Sequence, residues 1–408
     1  MDYTGGKLEA DHLCVLVHGL WGNPSHMRNV AKALRAKFPA EKLYLLIAKS
    51  NSGSFTSDGI ELGGERVCAE IQEELHAVKS KGGNFTKLSI VGYSLGGLVA
   101  RYALGLLYAK GILDGIECMS FTTFVTPHLG VRTPLKGWHN HVWNVVGART
   151  LSMSGRQLFM VDQFRDTGRP LLSVMADPKS IFMKGLGKFR RHTAYANVVN
   201  DKSSVYYTTG ISKTDPFADM AAVDVNYLDG YDEVIIDLRR PITPRPQMRP
   251  QLTLSTTSLA IFSWRIKRHE KGLTGFPIEE YRMPLWIMEA REEAERAYEA
   301  LNNTHENEYL GGSSEDEVDD EGTDFGPDAE EVMSKERLLS KRAEPTLALS
   351  PRQFTMIDSL DSLGWRRYPV WIRKDDHSHA AIIVRVDKPS ATEGWVVLSH
   401  WLKEEFLV

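Results

Sequence analysis

The chain has only three cysteines among 408 residues, Cys14, Cys68 and Cys118, an odd number set far apart and each inside an apolar run. That excludes a disulfide framework and a cysteine metal site, and points to buried free thiols in a reducing compartment. No stretch reaches the ~18 consecutive apolar residues that a membrane-crossing helix needs. The first residues, Met1 to Gly6, have no basic region leading into an apolar one, so no secretory leader is expected. Net charge is also small, −4, but unevenly spread: ten carboxylates and no Lys or Arg lie between Glu315 and Glu331. Without them the rest of the chain would carry about +6. A mildly basic body can approach anionic lipid headgroups, but this charge is too weak and scattered to hold nucleic acid. The expectation is an intracellular protein that meets a membrane only at its surface.

What is present is alternation. Leu13–Val17 is a continuous apolar run, the pattern of a parallel strand covered on both faces. Further strands are expected at Leu43–Ala48, Leu88–Gly92, Ile116–Thr126 and Ala194–Val199, with helices between them at Ser25–Phe38, Leu62–Lys81 and Leu98–Ala109. Strand and helix in turn predict one doubly wound, mostly parallel α/β sheet. Two stretches break the rhythm. Residues 130–190, with Trp138, Trp143, Val145, Val146, Leu151 and Phe159, are expected to form a lid-like insertion, although ordinary core packing would use the same residues. Residues 303–348 are acidic, Gly/Ser-rich and nearly free of aromatics, the composition of a disordered insertion. Apolar residues resume at Ala380–Val384, so residues 10–302 and 349–408 are expected to form one domain around that insertion.

Gly92-Tyr93-Ser94-Leu95-Gly96 sits where a strand runs into a helix. A serine on such a turn is exposed at the sheet edge as a nucleophile, and the flanking glycines permit the tight turn. Acyl transfer needs two oxyanion donors. The N–H of Leu95 is one candidate; the N–H of Leu20, in the glycine-flanked loop His18-Gly19-Leu20-Trp21-Gly22, is the other, with His18 and Gly19 orienting the loop. The base must be a histidine held by a carboxylate, in the chain order Ser, acid, His. Asp201, at the end of a strand, is the candidate acid. His379, which abuts the apolar run, is the preferred base, with His377 as the alternative. No cofactor or metal is called for.

These motifs, with Val99-Ala100-Arg101-Tyr102, Thr126-Pro127-His128-Leu129-Gly130 and Ser154-Gly155-Arg156-Gln157-Leu158, resemble a fungal serine-esterase family. That family includes lipid-droplet phospholipases and monoacylglycerol-lipase-like enzymes. The resemblance covers residues 10–230 and implies an α/β-hydrolase with Ser94 as nucleophile, Asp201 and a late histidine as its partners, and a phospholipid or acylglycerol substrate. It implies a peripheral place on lipid droplets or the endoplasmic reticulum; Leu259–Arg268, apolar and then basic, is a candidate surface anchor. A soluble carboxylesterase or acyl-protein thioesterase and a catalytically silent lipid-surface scaffold are the competing readings. Oligomeric state is not legible.

Overall fold

The computed structural model describes residues 3–131, 152–245 (Lys202 and Asp232 apart) and 349–408. Trp138, Trp143, Val145, Val146 and Leu151 of the lid-like stretch, the Leu259–Arg268 segment and all of the acidic insertion lie outside these residues. By its contacts the chain divides into a unit of residues 1–243 with 323–408 and a second of 244–322, nearly all of which is outside the described residues. Residues 246–302, expected to belong to the hydrolase core, lie outside the described residues.

Six strands make the sheet: β1 (His12–Val17), β2 (Leu43–Ile47), β3 (Lys87–Tyr93), β4 (Glu117–Phe124), β5 (Arg191–Asn197) and β6 (Arg366–Val370). Their order is β2-β1-β3-β4-β5-β6, and every neighbouring pair is parallel. Every residue of β1 is buried, as expected for a strand covered on both faces. Its side chains alternate between two cores, Leu13, Val15 and Val17 toward one face and Cys14 and Leu16 toward the other. On the first face lie α2 (Ile60–Ser80) and α3 (Leu95–Ala109), and on the second α1 (Arg28–Lys37) and the C-terminal helix Thr392–His400. All three cysteines are buried free thiols.

Two expectations need correction. Residues 152–190 are built into the core: Leu158, Phe164, Leu171, Leu172 and Phe182 all join the cluster under α2 and α3. Ser154 and Gln157 are buried there because they serve the start of α2. Ser154 Oγ accepts from Gly59 N at 3.0 Å and donates to Thr56 O at 2.6 Å. Gln157 Oε1 accepts from Ile60 N at 2.6 Å. Helix N-termini leave such donors without partners inside the helix. Ala380–Val384, where apolar residues resume, is a short helix, Ser378–Ala381, that passes into a buried turn. The last strand is Arg366–Val370, which carries two arginines and a proline. That composition hides a strand from periodicity and suits a sheet edge, and here Ile236 N donates to Pro369 O and Trp371 N to Val234 O across that edge. Also, α3 starts at Leu95, three residues before the expected Leu98, with Ser94 at its N-cap position and no capping bond from the serine side chain.

Strand order reverses beside β1: the chain steps from β1 to β2, then returns past it to β3. Ligands of open parallel sheets bind at the carboxyl ends of strands flanking such a reversal. Ser94 follows β3 and the His18–Gly22 loop follows β1, so both motifs belong to that crevice. Among the described residues no helix is long and apolar enough to cross a membrane.

Candidate active site

Ser94 has φ +54 and ψ −129, a conformation that a residue with a side chain holds only when its surroundings impose it. Here they do. Ser94 N donates to Phe124 O at 2.9 Å, and the Ser94 carbonyl oxygen accepts from Thr126 Oγ1 at 2.9 Å. A Cβ on Gly96 would strike the carbonyl oxygens of Val17 and His18, and one on Gly19 would sit 2.8 Å from Ser94 Cβ. The glycines let the start of α3 and the loop after β1 close on the serine.

The structure brings together residues from three distant parts of the chain. Ser94 Oγ donates to His379 Nε2 at 2.9 Å, and His379 Nδ1 donates to Asp201, 2.9 Å from Oδ2 and 3.1 Å from Oδ1. Asp201 is buried, with its side chain 2% exposed. It also accepts from Ser203 N and Ser204 N, both at 2.9 Å, and from Asn197 Nδ2 at 3.1 Å. Charge-assisted bonds of this kind fix a carboxylate in position, which in turn selects the imidazole tautomer that leaves Nε2 free to accept from the serine. His377 is elsewhere: it flanks the helix that carries His379, its side chain is 81% exposed, and its nearest charge is Asp375 at 3.7 Å.

The N–H of Leu95 opens α3, and the N–H of Leu20 lies in the loop that Gly19 presses against Ser94. Neither has a hydrogen-bond partner among the described residues. His18 is buried, and its Nδ1 donates to Gly19 O at 3.1 Å. Burial holds its pKa below the usual histidine value, against the opposing pull of the Gly19 carbonyl and Glu70. Its place is under the loop, away from the Ser94–His379 contact.

Several supports escaped the sequence reading. Tyr93 donates to the backbone oxygen of His379 at 3.0 Å, and its ring lies 5.3 Å from the imidazole. Ser378 Oγ donates to Val199 O at 2.9 Å, tying the histidine helix to the segment that carries Asp201. The Thr-Pro-His-Leu-Gly motif is a buried brace: besides the Thr126 bond, His128 Nε2 meets Thr123 Oγ1 at 3.0 Å and its Nδ1 lies 3.4 Å from Arg101 Nη1. Burial first, and then the Arg101 and Arg367 charges, keep His128 neutral far below the ordinary histidine pKa. Asn197, four residues before Asp201, had a readable signal in its spacing; Tyr93 and Thr126 had none, since their partners are distant in sequence. Among the described residues no group of three or more His, Cys, Asp or Glu is arranged to hold a metal.

A parallel doubly wound sheet, a strained serine between its central strand and the next helix, and an acid and histidine at later strand ends are the layout of an α/β-hydrolase. Comparison with known proteins adds a family. The model described as "Putative serine esterase (DUF676)" matches residues 7–214. The chain is 25% identical over 208 residues to "Putative lipase C4A8.10" of Schizosaccharomyces pombe, covering 49% of this chain and 26% of that protein. It is 27% identical over 209 residues to "Putative lipase ROG1" of Saccharomyces cerevisiae, covering 49% and 28%. The match thus spans little more than a quarter of those relatives. Among solved structures, a lipase-esterase related protein from Clostridium acetobutylicum aligns over 50% of this chain and 82% of its own, with 12% identity and a TM-score of 0.29. With half of its length matched by the family model, the chain belongs to the DUF676 serine esterase family.

Proposed function

We propose that this protein is a serine hydrolase that cleaves carboxylic esters of lipids through Ser94, His379 and Asp201. The observation that carries the reading is the unbroken relay from Ser94 Oγ through His379 to a buried Asp201 held by three further donors. Ser94 Oγ attacks the ester carbonyl carbon while its proton passes to His379 Nε2. Asp201 stabilises the imidazolium, and the Leu20 and Leu95 N–H groups face the oxyanion. The tetrahedral intermediate collapses, the alcohol leaves with the proton from Nε2, and the acyl group stays on Ser94. Water then attacks the acyl-enzyme with His379 again as base. Lipid esters, phospholipid or acylglycerol, are favoured by the lipase names of the relatives in two yeasts, and a lipid surface of a membrane or droplet is where such substrates are met.

Ser94→Ala is expected to lower turnover of a short-chain p-nitrophenyl ester by about 10⁴-fold or more. It is also expected to abolish labelling by a fluorophosphonate probe. Unchanged hydrolysis by the purified variant would overturn the assignment. Mass spectrometry of products from mixed lipid vesicles tests the substrate class, and release of fatty acid only from water-soluble esters would remove the lipid from the proposal.

A further inference from the structure

The loop that carries one oxyanion donor also holds an aromatic residue in a strained conformation. Gly22 N donates to Gly19 O at 3.0 Å, closing a tight turn with Leu20 and Trp21 at its centre. Trp21 has φ +53, a left-handed value that turns normally give to glycine and that a bulky residue adopts only under constraint. Three bonds supply the constraint. Trp21 N donates to Thr56 Oγ1 at 2.8 Å, and Thr56 Oγ1 donates to Gly53 O at 2.7 Å. Gly53 N in turn donates to Gly22 O at 2.8 Å.

These bonds fix the backbone and leave the ring outside: Trp21 is 74% exposed, whereas tryptophan is on average highly buried. Strain of this kind persists where a side chain must be presented to a ligand. The place is the reaction centre. A Cβ on Gly19, two residues earlier, would sit 2.8 Å from Ser94 Cβ and 3.3 Å from Ser94 Oγ. An ester whose carbonyl oxygen accepts from Leu20 N therefore has its reacting carbon next to the residue that precedes Trp21. The framework around Thr56 is apolar as well. Phe55 precedes Thr56, and Met153 precedes Ser154, whose hydroxyl donates to Thr56 O at 2.6 Å; both side chains are about half exposed. An indole offers a hydrocarbon chain a large rigid face with few rotatable bonds to immobilise. We propose that the Trp21 indole is the platform for the hydrocarbon chain of the ester and sets the preference of the site for long chains over short ones. This rests on the reading of Ser94, His379 and Asp201 as an ester-cleaving centre and names the residue that selects the chain.

An ester has two chains, and two pairs of substrates separate them. p-Nitrophenyl octanoate against p-nitrophenyl acetate varies the acyl chain; octyl acetate against ethyl acetate varies the alcohol. Each pair is read as the long-over-short ratio of kcat/KM, with monomeric substrate and the full-length chain. Trp21→Ala is expected to lower at least one ratio about fivefold or more, because buried CH₂ groups lose their apolar contact. A fall in the first ratio puts the acyl chain on the indole, and a fall in the second puts the alcohol there. Turnover of the short esters is expected to stay within about threefold, since they do not reach the platform. Trp21→Phe keeps an aromatic face and is expected to hold both ratios within about twofold. Trp21→Gly, whose backbone accepts a positive φ without strain, is expected to give the same fall should Trp21→Ala fold poorly. Phe354→Ala removes an exposed aromatic on the helix Pro351–Asp361 and is expected to change neither ratio. Ratios unmoved in Trp21→Ala and Trp21→Gly, equal losses on long and short esters, or an equal fall in Phe354→Ala overturn the platform. Should no ester be cleaved and Ser94 resist the fluorophosphonate probe, the catalytic reading fails by itself. The platform is then judged by binding of p-nitrophenyl octanoate to Ser94→Ala: weakening of about fivefold or more by added Trp21→Ala supports it, and equal binding overturns it.

Discussion

At Ser94 the backbone and the side chain are held by separate groups. Phe124 O and Thr126 Oγ1 anchor the strained backbone, while among the described residues His379 is the one partner of Oγ. The preferred histidine, His379, and its alternative, His377, are therefore separable by experiment. His379→Ala is expected to cost about 10³-fold or more in kcat, whereas His377→Ala, on an exposed side chain, is expected to stay within about twofold. Steady-state kinetics on a soluble ester decide this, and equal losses would reject His379 as the base. Asp201→Asn keeps the shape of the site but presents the imidazole with the wrong partner. A loss of about 10³- to 10⁴-fold in kcat with little change in KM is the expected outcome, with circular dichroism showing that the fold remains. Ser94 and Asp201 were legible because each sits at the end of a strand whose apolar run is local. Tyr93 and Thr126 were not, because what they do depends on residues brought to them by packing.

At the scale of elements, periodicity located β1 to β5 and the three long helices, since each buries a repeating face. It left residues 130–190 open between a lid-like insertion and ordinary core, and the described part, 152–190, packs into the core, with Gln157 buried there. Gln157→Leu is expected to leave the Ile60 N–H unsatisfied at the start of α2 and to cost about 1–3 kcal/mol, read as a lower urea midpoint. No change in that midpoint would mean that the α2 terminus finds another acceptor. Gly96 is the other sensitive joint. An added Cβ meets the backbone of β1, and backbone has little room to yield, so Gly96→Ala is expected to cost about 1–3 kcal/mol as overpacking and to disturb the oxyanion loop with it. Reduced yield of folded protein and reduced activity together are the expected result; full activity with a wild-type melting temperature would contradict the close approach. β6 stayed hidden because an edge strand with Arg366, Arg367 and Pro369 carries no apolar alternation.

For the whole molecule, acid sensitivity follows from histidines buried without charge. His12, whose Nε2 meets Ser89 Oγ at 2.9 Å, and His400, whose Nδ1 accepts from Tyr195 Oη at 2.7 Å, are each pushed by burial from 6.5 to about 4. Below pH 6.5 the unfolded chain takes up protons that the folded chain refuses. Stability is therefore fully present above that pH and falls as the pH drops toward about 4, where the folded state begins to protonate as well. Urea midpoints at pH 4.5, 5.5 and 7.5 should rise in that order; a flat series would refute the buried neutral state. The family match ends at residue 214, yet β6 and His379 come from residues after 349. A chain cut after residue 243 is expected to keep Ser94 and Asp201, leave the β5 edge open, and show no esterase activity even at high protein concentration.

The sequence by itself determined that Ser94 sits on a strand–turn–helix junction, the position a nucleophile takes, because strand, glycine turn and helix are neighbours in the chain and their backbone geometry is written in local periodicity. It also narrowed the acid to a strand end and the base to two histidines. Only the tertiary structure decided between those two, placing His379 against a serine 285 residues away while His377 points into solvent. Contacts across such a separation are set by how the sheet and its two cores pack, and no local pattern records them.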